Sequence, residues 1–217
     1  MKQRIRAVMN YLSWADPFYK WKVSTAECPL DGKSKFISLK ADPFMTRCLK
    51  CKGNVTNLSL IPLVKEHVNG NYDKAVYELS TYGSTLDFMK TKFQNITTSE
   101  FFMGREPGET VNGVMNQDVM RLTFTNNSFD IVTSNQVFEH VPDDIRGFRE
   151  CYRVLRKGGA LIFTVPLHDA PATVKKAAIV DGKIEYYGTP EYHDSRLEGP
   201  AHHLCFITTH PTIFVTG

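Results

Sequence analysis

Cys28 and Asp31 are followed, after a gap of sixteen residues, by Cys48 and Cys51. This is C-x2-D and then C-x2-C, the spacing of a zinc ribbon in which Asp31 stands where a second cysteine would. Each pair suits a tight knuckle that turns two ligand atoms onto one tetrahedral ion. Gly32 and Gly53 follow the pairs, as such turns require. Besides cysteine sulfur and histidine nitrogen, zinc also accepts an aspartate oxygen, so the expected set is Cys28, Asp31, Cys48 and Cys51, with His67 a weaker alternative for the fourth position. A closed four-ligand site leaves no room for substrate, so such an ion would be structural. The alternative is a ribbon that has lost its metal and is held by packing of Phe36, Ile37, Leu39 and Phe44.

The other chemistry-bearing residues stand at the ends of apolar runs, and the elements that would position them centre on residues 129–166. Two runs rich in β-branched residues, 129–133 and 160–165, read as strands. Between them Phe148, Cys151, Tyr152 and Leu155 fall at i, i+3, i+4 and i+7, one buried helical face. Pro142 with Asp143 and Asp144 suits the start of that helix, and Gly158-Gly159 its end. A crossover of this length implies a parallel sheet covered on both faces, with ligands outside the carboxyl ends of its strands. Histidines lie at such ends: His140 after one strand, His168 with Asp169 after the next.

With 217 residues, 42% hydrophobic and 23% charged, the chain has room for one medium α/β domain and a small appendage. A formal net charge of +3 is too small a bias to argue for nucleic acid by itself. Five cysteines fit a secreted disulfide framework poorly, and the opening MKQRIRAVMNYLSWADPFYKWKV is broken by Asn10, Ser13 and Asp16 before any signal core or membrane span forms. A reducing cytoplasm is the expected setting. Residues 1–25 read as an N-terminal helical segment, amphipathic and aromatic. Residues 26–70 read as the ribbon and a connecting helix broken early by Pro62, and 71–217 as the main domain, beginning after the polar segment NGNYD.

The segments FDIVTSNQVFEHVPD and LRKGGALIFTVP together resemble the fourth and fifth strands of class I S-adenosylmethionine-dependent methyltransferases of the type 11 kind. The resemblance implies a doubly wound Rossmann-like α/β fold with a mostly parallel sheet, shortened at its C-terminal end, beside the ribbon. In that family the first strand ends in E/D-x-G-x-G-x-G, whose glycines admit the methionine part of the cofactor. Here the stretch is Glu78-Leu79-Ser80-Thr81-Tyr82-Gly83-Ser84, with the acid kept and the glycines displaced. Either Ser80 still allows close approach and Gly83 supplies the turn, or the pocket is compromised. The family pattern further implies that Glu100 accepts from the ribose hydroxyls and Asp118 from the adenine amino group, with Val119 on the ring. Asp118 could instead cap the next turn. Asn135, Gln136 and Val137 would pass the methionine end.

The stretch YGTPEYHD resembles a loop that closes over the acceptor in this sub-group, which makes His193 the first candidate for substrate contact. His140 and His168 are further candidates for catalytic roles. The resemblance also implies another helix and two antiparallel strands after Phe206, where ITTHPTIFVTG ends at Gly217. Dimerisation would be one way to cover the exposed sheet edge. The function implied is methyl transfer to a small-molecule or unknown acceptor. The alternatives are a non-catalytic methyltransferase-like scaffold, or an RNA methyltransferase whose Lys33, Lys35, Lys40, Arg47, Lys50 and Lys52 sit on phosphates.

Overall fold

The computed structural model describes residues 20–40, 45–166, 174–181, 183–190, 192–195, 199–204 and 206–208. Most of the expected N-terminal helical segment, together with Phe44, His168, Asp169 and the last nine residues, lies outside them. The chain forms two compact units, Met1–Asn69 with Tyr82–Thr91, and Gly70–Thr81 with Lys92–Gly217.

In the first unit β1 (Lys22–Cys28), β2 (Gly32–Ser38) and β3 (Thr46–Cys48) form an antiparallel sheet in that order. Residues 22–25 are therefore strand, not helix. Helix α1 (Val55–Val68) starts where the Asn54 side chain accepts from Asn57 N at 2.7 Å, and ends at the left-handed Asn69. It runs through Pro62 rather than breaking there. Proline removes the hydrogen bond to the Leu58 carbonyl, and burial of Leu58, Leu60, Ile61, Val64 and Val68 outweighs that loss. Helix α2 (Ser84–Lys92) buries Thr85, Leu86, Phe88 and Met89. The Gly83 turn before it has φ 121, and a Cβ there would meet Asn57 Oδ1 at 2.5 Å, so glycine is required twice over.

In the second unit β4 (Ala75–Glu78), β5 (Asn95–Thr98), β8 (Phe129–Asn135) and β9 (Leu155–Thr164) make a parallel sheet of order β5-β4-β8-β9. The segment leading to Asp118 is not a full member of this sheet. Its start, β7 (Val114–Met115), turns back on β6 (Thr110–Val111), and only a parallel bridge of Asn116 to Glu100 reaches the sheet. The fully buried Asn116 explains the departure. Its side chain accepts from Phe102 N at 2.8 Å and donates to the Arg105 and Glu106 carbonyls at 3.0 and 2.9 Å, so it fastens the preceding loop.

Helix α3 (Asp144–Val154) connects β8 to β9 and is capped by Asp143, which accepts from Arg146 N at 3.0 Å. Its buried line is Gly147, Cys151 and Val154, with Phe148 packed beside it. Tyr152, expected on that face, is 81% exposed, because the buried stripe follows the i, i+4, i+7 row through 147 and leaves the 148–152 row at its margin. The helix also ends earlier than Gly158-Gly159. Both glycines lie inside β9, at a bulge where Phe129 pairs with Leu155 but Ile131 pairs with Ala160. The core joins Ala75, Tyr77, Leu79, Val119, Leu122, Phe129, Val132, Phe138, Val141, Cys151 and Val154.

A Cβ on Gly159 would lie 2.9 Å from both the Arg156 and Asp130 carbonyl oxygens. Since neither backbone atom can swing aside, Gly159→Ala is expected to destabilise the chain by about 1–3 kcal/mol in urea unfolding. Gly188→Ala, with nothing within 4 Å of its Cβ, is expected to be near neutral. Equal midpoints for the two variants would show that the bulge is loosely built.

Candidate cofactor site at the carboxyl ends of the parallel strands

Glu78 is the last residue of β4 and stands in register with Thr133 on β8. It is 1% exposed. Its carboxylate accepts from Ser80 Oγ at 2.7 Å and, on the other oxygen, from Thr133 Oγ1. Burial pushes its pKa up to about 7, the two hydroxyl donors oppose that, and the charge of Glu100 adds to it. Ser80, where the family pattern has glycine, is therefore folded back onto Glu78. Glu100 Oε1 accepts from both Thr81 N and Thr81 Oγ1 at 2.7 Å, so it holds the chain leaving β4. Glu100 itself is fixed by its N–H to Met115 O at 3.0 Å and by Gln117 N on its carbonyl at 2.9 Å.

Asp118 Oδ1 accepts from Met120 N at 2.8 Å and its carbonyl from Arg121 N at 2.8 Å, the turn-capping geometry weighed against an adenine contact. Val119 is buried in the core cluster near Phe138 and Gly147. At the end of β8, Asn135 Oδ1 accepts from Thr164 Oγ1 at 3.2 Å, and Gln136, at φ 53, donates its N–H to Thr164 O at 3.0 Å. Glu78, Ser80, Glu100, Asp118, Val119, Asn135, Gln136 and Val137 all belong to the second unit, while Gly83 belongs to the first. His193 lies on a short strand, Tyr192–Ser195, paired with Gly199–Leu204. His168 is outside the described residues.

His140 closes a 3-10 turn, Phe138–His140, after β8. Its neighbour Glu139 is 1% exposed, and neither carboxylate oxygen has a hydrogen-bond partner among the described residues. The closest charge complement is His140 Nε2, 3.8 Å from Glu139 Oε1. Burial pushes the Glu139 pKa up to about 8. Sequence reasoning passed over Glu139, Thr81 and Thr133. Glu139 was in plain view inside FEHVPD beside the histidine, whereas the other two take their roles from register and turn geometry that no local pattern carries.

Residues 74–163 match the family described as a methyltransferase domain. The sarcosine/dimethylglycine N-methyltransferase of Halorhodospira halochloris is 41% identical over 71 residues, 32% of this chain and 25% of its own length. The chain thus spans a quarter of that relative. An S-adenosylmethionine-dependent methyltransferase from Mesorhizobium loti superposes with a TM-score of 0.42 at 17% identity, covering 70% of this chain and 74% of that one. The YcgJ protein of Bacillus subtilis gives 0.40 at 21% identity, covering 50% and 51%. Among the described residues no helix is long and apolar enough to cross a membrane.

Glu139 fixes a pH dependence of stability. Below the unfolded carboxyl pKa it is protonated in both states; between there and about 8 unfolding lets it ionise, so stability falls as pH rises through that window. Urea midpoints from pH 5 to 9 are expected to fall in the parent and to fall less steeply in Glu139→Gln. Parallel profiles would show that the carboxyl is hydrated and ordinary.

The sequence match over residues 74–163 falls on the parallel sheet that these residues build, so this part of the chain is similar to a methyltransferase domain and has a Rossmann-like α/β fold.

Proposed function

We propose that the chain binds S-adenosylmethionine at the carboxyl ends of β4, β5 and β8 and transfers its methyl group to a small-molecule acceptor. The observation that carries this reading is the folding back of Ser80 onto Glu78. A serine in a cofactor turn obstructs close approach only if its side chain projects into the site. Here the hydroxyl is bound to a buried carboxyl, so position 80 need not be glycine to keep its side chain out of the way. Glu100 supports the same reading by fixing Thr81 through two bonds to one oxygen.

When bound, the cofactor supplies an electrophilic methyl carbon on a sulfonium. The residues of this chain supply position: holding an acceptor in line with that carbon is worth up to about 7–11 kcal/mol. Asn135, Gln136 and Val137, where β8 ends, line the path assigned to the methionine end. A general base is needed only for an acceptor that must lose a proton. His140 is the candidate on the cofactor side, with Glu139 placed 3.8 Å from Nε2 to receive or return a proton there. His193 and His168 are the candidates on the acceptor side. The name of the 41%-identical relative suggests a small amine as the first acceptor class to try. A reducing cytoplasm suits a chain with this many thiols.

Calorimetric titration with S-adenosylmethionine and with S-adenosylhomocysteine is expected to show binding of both. Glu100→Ala, which frees Thr81, is expected to weaken it at least tenfold, about 1.4 kcal/mol. Absence of binding by a folded, intact chain would overturn the reading.

A further inference from the structure

The first unit brings Cys28, Asp31, Cys48 and Cys51 together so that one ligand atom from each lies within 4.8 Å of the others. Cys28 closes β1 and Asp31 sits in the β1–β2 turn, where Gly32 has φ 67. Cys48 ends β3, and Cys51 follows in a turn closed by Lys52 N on Cys48 O at 3.0 Å, with Lys52 at φ 67. Cys48 N also donates to Gly53 O at 2.9 Å, and Lys50 N to Cys48 Sγ at 3.4 Å. The last contact leaves a sulfur that is already accepting from backbone, the usual state of a thiolate at a knuckle.

The spacings between the ligand atoms decide what fits. A tetrahedral zinc with Zn–S of about 2.3 Å and Zn–O of about 2.1 Å sets sulfurs about 3.8 Å apart and sulfur from oxygen about 3.6 Å. The Cys28 and Cys51 sulfurs are 3.7 Å apart, and Asp31 Oδ2 is 3.5 Å from Cys28 Sγ and 3.4 Å from Cys48 Sγ. Those three of the six edges match a coordination tetrahedron, and the sulfur–sulfur separation is too long for a disulfide, whose S–S bond is about 2.05 Å. His67, on the last turn of α1, is not among the converging residues.

We propose that this chain binds one Zn2+ through Cys28, Asp31, Cys48 and Cys51, as a closed structural site that clamps the β1–β2 turn to the knuckle after β3. Loading displaces a proton from each thiol, while Asp31 enters already ionised. Three thiolates and a carboxylate leave a net formal charge of about −2 on the complex. Lys50 Nζ, 3.7 Å from Asp31 Oδ1, offsets part of it and orients the carboxylate so that its other oxygen faces the sulfurs. No position is left for a substrate, so the ion holds this unit together and takes no part in methyl transfer.

Full-length protein purified under reducing conditions without added metal is expected to carry about one zinc per chain. After chelation, titration with Co2+ is expected to give the intense visible bands of a tetrahedral site and a thiolate charge-transfer band. Asp31→Cys should keep the metal and raise the charge-transfer band by about a third, as three thiolates become four. Asp31→Ala should weaken zinc at least tenfold, about 1.4 kcal/mol. Folded, reduced protein that holds no zinc and gives only the weak spectrum of hydrated Co2+ would overturn the proposal. So would a cobalt spectrum that Asp31→Cys leaves unchanged, since the carboxylate would then not be a ligand. The parent and Asp31→Cys measurements decide the matter even if Asp31→Ala does not fold.

Discussion

The second unit depends on a carboxyl group at the centre of a parallel sheet. Glu78 is taken out of water on β4, between β5 and β8, where an ionised carboxylate without partners would be prohibitive. Two hydroxyls make it tolerable: Thr133, opposite it in the β4–β8 register, and Ser80, two residues on. Each neighbour is thereby constrained. Thr133 cannot become valine without orphaning one carboxylate oxygen, and the residue after Leu79 must be small yet carry a donor. A serine in place of the usual glycine follows from this local need and does not by itself imply a lost site.

Around that polar centre the sheet is held by aromatic packing on one side and by ionic ties at the β8–β9 bulge. Tyr77, Phe124 and Phe129 meet with centroids 4.8 to 5.3 Å apart, and Phe138 stacks on Phe148 at 4.2 Å. At the bulge Arg156 bonds Asp130 at 2.7 Å, and that same carboxylate accepts from Ala75 N at 2.8 Å, which ties the starts of three strands together. Arg153 reaches the Leu122 and Phe124 carbonyls at 2.9 and 2.7 Å while paired with Glu150, whose carboxylate also takes Leu122 N at 2.8 Å. The loop before β8 is thus anchored from α3 by charge-assisted bonds, which are stronger than neutral ones.

What could be read from the chain beforehand divides along physical lines. The strands at 129 and 160 were legible because each is a short apolar run rich in β-branched residues, and their parallel pairing followed from the crossover length. The glycines at 158–159 misled, since a glycine pair marks a helix end and a strand bulge equally well and only the Asp130 carbonyl, 2.9 Å away, decides between them. Pro62 misled because propensity is local, whereas the buried side chains that keep α1 continuous are counted only after folding. The Thr133–Glu78 bond joins residues 55 apart and exists only in one register. Asn116 likewise spends its amide on a loop ten to fourteen residues upstream, which no strand pattern discloses.

Within the first unit α1 and α2 bury apolar faces, whereas the three-stranded sheet buries little. On β1 six of the seven residues are exposed, and only Cys28 is buried. A three-stranded sheet with so little apolar area to hide gains little from the hydrophobic effect, at roughly 25 cal/mol per Å2 buried. The buried residues on its strands are Cys28, Ser34, Phe36 and Cys48, two of them at the point where the knuckles converge. Small units of this kind are ordinarily stapled by a disulfide or a metal. In the second unit Cys151, its one described cysteine, is a small apolar side chain on the buried face of α3. Three of the four described cysteines thus stand beside the sheet that buries little apolar surface.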